Sequence, residues 1–77
     1  MPVYRLEIFD RPREGLPEGQ LPEEQRRKTY AIDAADDVKA IVEAARHYAR
    51  LAYHVTLDRF VLYEGERVVH EHTEPRG

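Results

Sequence analysis

Two histidines stand two residues apart in the stretch Val68-Val69-His70-Glu71-His72-Thr73. On an extended strand alternate residues share one face, roughly 6.6 Å apart along it, so both imidazoles can reach toward one metal ion. Zinc usually takes three or four protein ligands. The further donors are His54 and Glu71, and Glu71 falls on the opposite face of the strand. The spacing also differs from the His-Glu-x-x-His pattern, which sets two histidines one helical turn apart. The pair therefore reads as a solvated edge-strand surface near the C-terminus. A metal-binding role for His70 and His72 is the lesser alternative, and no bound zinc is expected.

A second constellation is Arg46, His47, Arg50 and His54, which recur three to four residues apart beside Glu43. On a helix these share an outward face, and positive groups near a helix C-terminus suit its dipole without any ligand. A nucleic-acid surface is the sharper reading. Lys and Arg total 12 against 15 Asp and Glu, a net charge of −3, so only a local patch is left to hold phosphate. Such binding would be weak and strongly salt-dependent.

The inventory for catalysis is poor. There is no Ser or Cys nucleophile, and the three threonines have no histidine at a suggestive spacing. The acids fall mostly in loops and turns, where burial has little chance to raise a carboxyl pKa. No glycine-rich phosphate loop follows a strand. These absences predict neither an enzyme nor a cofactor.

The elements that must position these residues follow from periodicity. Seventy-seven residues make one domain, near the lower limit for a core without disulfides or metal. Val3 to Asp10 alternates as a half-buried strand, with Tyr4, Leu6 and Ile8 on one face, and residues 28–33 resume the alternation. Between them residues 11–27 hold three prolines and no periodic apolar pattern, which predicts a long loop. Asp33 then suits a helix N-cap, and Ala34, Val38, Ile41, Val42, Ala45, Ala49 and Ala52 fall on one helical face as the expected core stripe. A hairpin follows, turning at Glu64-Gly65, with its register open between two choices that set His70 and His72 on opposite faces relative to Phe60 and Leu62. Residues 74–77 read as a frayed tail. The order β-β-α-β-β predicts a two-layer α+β domain, an antiparallel sheet of about four strands with one amphipathic helix across one face.

One helix covers one face of a sheet. The other must be wet or covered by another chain, and Val3, Phe9, Val61, Tyr63 and Val68 are the apolar residues available there. The helix also carries Ala40, Ala44, Tyr48 and Leu51 beside its expected core stripe, a width of apolar surface that points to a partner. Leu16 and Leu21 in the loop are further candidates for partner binding. The expectation is a small interaction module that binds another protein or itself, most simply as a homodimer. With no Cys, no signal-like N-terminus and no apolar run of membrane-spanning length, a soluble cytoplasmic setting is expected.

Overall fold

The computed structural model describes residues 2–11 and 27–75. Among these residues four strands and one helix follow in the order β1 (Val3–Asp10), β2 (Arg27–Asp33), α1 (Asp37–Ala52), β3 (Leu57–Glu64) and β4 (Arg67–Thr73). The sheet is antiparallel with spatial order β2-β1-β3-β4, so β1 and β3 are central and β2 and β4 are edges. This is the expected α+β arrangement. No helix among the described residues is long and apolar enough to cross a membrane.

Strand alternation places the core. Tyr4, Leu6 and Ile8 of β1 join Ile32 of β2 and Leu57, Phe60 and Leu62 of β3 on the face beneath the helix. The hairpin closes by neither expected register. Gly65 and Glu66 form the turn, Glu64 pairs with Arg67 and Tyr63 with Val68, and a bulge then skips Val69 so that Leu62 pairs with His70. Gly65 has φ +61°, which is the geometry a two-residue turn with Gly at its first loop position demands. The bulge brings His70 and His72 directly opposite Leu62 and Phe60, on the helix side of the sheet.

The helix begins three residues later than Asp33. Asp33 still belongs to β2, opposite Val3, and the cap is Asp36, whose Oδ1 accepts from the Lys39 N–H at 2.9 Å. Asp37 lies in the first turn and Arg50 in the last, charges that suit the helix dipole.

The face that α1 buries also differs from expectation. Ala40, Ala44 and Tyr48 are the buried residues of the helix, and Ile41 and Leu51 pack partly against the same core. Val38, Val42, Ala45, Ala49 and Ala52 of the expected stripe are exposed, Val38 by 70%. At 100° per residue the two sets form one apolar arc of roughly 180°, and a flat sheet contacts only part of such an arc. The sheet takes the flank that carries Tyr48 and Leu51, whose side chains remove more area from water than the two valines and three alanines of the other. Ala40 and Ala44, with no exposed surface, let the backbone approach the strands closely.

Candidate functional site

The outward flank of α1 lies next to β4, and the histidines of β4 sit at that junction. Two elements fix them. Pairing with β3 sets His72 opposite Phe60 and His70 opposite Leu62, and the helix brings Tyr48 down beside them. The Phe60 ring lies 5.8 Å from that of His70 and 5.5 Å from that of His72. Tyr48 meets Phe60 at 5.1 Å and presents an edge contact to His72 at 5.4 Å. The pair expected as a solvated surface is thus half-buried in a cluster of rings.

Glu74 completes the group. Its backbone N–H donates to the Asp58 carbonyl at 2.8 Å, which continues the β3–β4 pairing past Thr73. Its Oε1 accepts from the Tyr48 hydroxyl at 2.9 Å and lies 3.1 Å from His72 Nε2. The expected frayed tail is therefore anchored through Glu74, while residues 76–77 lie outside the described residues. The hydrogen bond from His72, then that from Tyr48, holds the Glu74 carboxyl below its ordinary range. Burial, then the bond to Glu74, pushes the Tyr48 phenol well above its own. A carboxylate kept ionised and a phenol kept neutral sit far from the near-neutral pKa that proton transfer needs. What the group does is fasten strand, helix and tail together. Beside it opens a shallow depression lined by Tyr48, Ala49, Ala52, Tyr53, His72 and Glu74, with Tyr53 89% exposed.

The other end of the helix has a second fastening. The Arg67 guanidinium donates to both oxygens of Asp37 at 3.0 Å, and the Tyr4 hydroxyl donates to Asp37 Oδ1 at 2.8 Å. Arg67 also reaches Glu64 at 2.6 Å. Arg67, then Tyr4, holds the Asp37 carboxyl low, and burial followed by that same bond pushes the Tyr4 phenol up to about 12.

The helix-free sheet face is neither bare nor simply wet. Arg59 lies over the Phe9 ring at 3.9 Å and Arg5 over the Tyr63 ring at 4.4 Å. Glu7, only 6% exposed, pairs with Arg5 at 3.4 Å and with Arg27 at 3.2 Å. Of the apolar residues expected to be available there, Phe9 and Val61 are buried, while Val3 and Val68 remain exposed. Guanidinium groups over aromatic faces cover apolar surface and keep their charge in water, so this face is largely finished within the chain.

The remaining candidates separate clearly. Ala40, Ala44 and Tyr48, expected to face a partner, are buried by the chain's own sheet, and Leu51 is half-buried beside them. Leu16 and Leu21 lie outside the described residues. Arg46 pairs with Glu43 at 2.9 Å, and His47 stacks on Tyr30 of β2 at 5.4 Å. Of the proposed phosphate-binding four, Arg50 and His54 are exposed and have no such contact among the described residues. Among the described residues no three His, Asp or Glu form a group able to hold a metal ion. Glu74 is what sequence reasoning missed. It has the same parity as His70 and His72, and carrying the alternation past Thr73 would have found it.

Comparison with known proteins brings no match from family models, curated proteins or solved structures.

Proposed function

We propose that this protein is a small non-enzymatic interaction module of the cytoplasm that works without a cofactor, by associating with another copy of itself. The observation that carries this reading is the outward apolar flank of α1. Val38, Val42, Ala45, Ala49 and Ala52 form a continuous stripe that the chain's own sheet leaves uncovered, and Tyr53 extends it at the C-terminal end. Contiguous exposed apolar surface of this kind marks interaction sites in soluble domains. The chemistry beside it supports binding over catalysis, because the Tyr48 phenol is pushed above and the Glu74 carboxyl held below its ordinary range, both away from the near-neutral values that suit proton transfer.

The test is sedimentation equilibrium of the full chain across a concentration series. The expected result is a dimer at tens of micromolar that weakens when Val42 is changed to Glu. A folded species that stays strictly monomeric throughout the series would overturn the reading.

A further inference from the structure

Among the described residues no strand pairs with the outer edge of β4, and that edge is a short, bounded window. Because the Glu74 N–H donates to Asp58 O, the pairs in phase with it, His72 with Phe60 and His70 with Leu62, exchange their backbone bonds with β3. The residues between, Glu71 and Thr73, direct N–H and C=O away from the sheet. The window closes at one end with the bulge at Val69 and at the other with Pro75, which has no N–H. Its centre is His72.

Resting on the self-association reading, we propose that the second copy docks here, β4 against β4 in antiparallel pairing about a two-fold axis through His72, so that two four-stranded sheets join edge to edge. Five considerations select this occupant and this register. With His72 at the axis, Glu71 and the partner's Thr73 exchange both backbone bonds, and symmetry repeats the exchange. On the helix side the row His70, His72, Glu74 runs against its own reverse, which sets each His70 opposite the partner's Glu74. That sets an imidazole N–H donor opposite a carboxylate acceptor, and both intrachain bonds of Glu74 fall on Oε1. Shifting the axis to residue 71 sets Glu71 against the partner's Glu71, and shifting it to residue 73 sets Pro75 where Glu71 needs a donor. The opposite edge is guarded differently: β2 opens with Arg27 and Lys28, and Lys28 turns its ammonium onto Asp10 at 3.0 Å. Lysine on an edge strand opposes edge-to-edge pairing. The seam also adjoins the depression of Ala49, Ala52 and Tyr53, so the apolar flank of α1 continues toward it.

The test needs no ligand. In the wild-type chain the Glu71 and Thr73 amides should exchange with deuterium freely when dilute and gain at least tenfold protection over the range where sedimentation shows the dimer. The His72 and Glu74 amides, already bonded to β3, should change little. Thr73→Pro removes an N–H that β3 does not use, so the monomer should fold while the dimer dissociation constant rises at least tenfold. The chain has no cysteine, which makes single replacements clean. His72→Cys places two Cα atoms about 4.5 Å apart, within the roughly 4.4–6.8 Å a disulfide spans, and should cross-link in air. Glu71→Cys and Thr73→Cys should cross-link far less. A dimer in which Glu71 and Thr73 stay unprotected overturns the β4 seam and leaves self-association standing. A strict monomer overturns both.

Discussion

Two flanks of one helix share nearly the same composition and meet opposite fates. On the inner flank Ala40 and Ala44 have no exposed surface and Tyr48 closes the core against Phe60. Roughly 120° round the helix, Val38, Val42, Ala45, Ala49 and Ala52 face outward. Alanines occur on both, so apolarity alone does not decide which flank meets the sheet. The inner flank carries one ring, held at its rim by Glu74, and its alanines are spacers that let the ring reach Phe60. The outer flank has larger side chains near the N-terminus and only alanine beyond. A helix so built has two usable surfaces, and the sheet takes the one that places an aromatic residue.

Neighbouring alanines give the harshest test of that contrast. Ala44→Glu forces a charge into the core and is expected to remove at least about 3 kcal/mol of stability, a large share of what a chain of this size has. Ala45→Glu, one residue on, is expected to stay within roughly 0.5 kcal/mol of the wild type. Urea unfolding followed by circular dichroism measures both, and equal losses would show that the assignment of flanks is mistaken.

Tyr48→Phe keeps the ring and deletes the bond to Glu74. The expected loss is about 1 kcal/mol, since Glu74 is partly open to water and recovers part of the bond. A double-mutant cycle with Glu74→Gln should show coupling between the two positions. Independent effects would mean that the tail is anchored by His72 and the backbone bond to Asp58, without Tyr48.

The element order and the strand faces were legible because period 2 is unambiguous in Tyr4, Leu6 and Ile8, and because the helix interrupts it with a different period. The choice of helix flank was not. A periodicity count weighs Ala49 as it weighs Tyr48, while packing weighs them by area. The hairpin register was hidden for a related reason. Val68 and Val69 are both apolar, so no change of pattern reveals which one the bulge sets aside. Glu74 escaped notice because its place depends on where β3 begins, at Leu57, which lies far from it in sequence.

The fastenings at the two ends of the inner flank predict how stability depends on pH. Glu74 and Asp37 are held below their ordinary carboxyl ranges by His72 and Arg67 respectively. A depressed folded pKa contributes stability above the unfolded value and loses it as pH falls, so thermal stability should decline below about pH 4.5. Tyr4 behaves in the reverse sense. Its phenol is raised from 10.0 to about 12, so its contribution is complete below pH 10 and fades as pH rises toward 12. Melting temperatures over both ranges check this. Tyr4→Phe together with Tyr48→Phe should flatten the alkaline decline, Asp37→Asn together with Glu74→Gln should flatten the acid one, and unchanged slopes would show that these contacts do not set the pH dependence.

The smallest effect on folding belongs to the outer flank, where it is most informative about binding. Val38 and Val42 are exposed by 70% and 46%, so Val38→Lys with Val42→Lys gives up little burial in the monomer. Lysine is also the better helix former, by a few tenths of a kcal/mol per residue. The doubly substituted chain should unfold within roughly 0.5 kcal/mol of the wild type or slightly later. Its dimer, however, should weaken if the flank shares in the contact, because two added charges per copy would sit on surface that association keeps dry. If the dimer is unchanged while Thr73→Pro abolishes it, association belongs to the β4 edge alone, and the outer flank of α1 is apolar without being an interface.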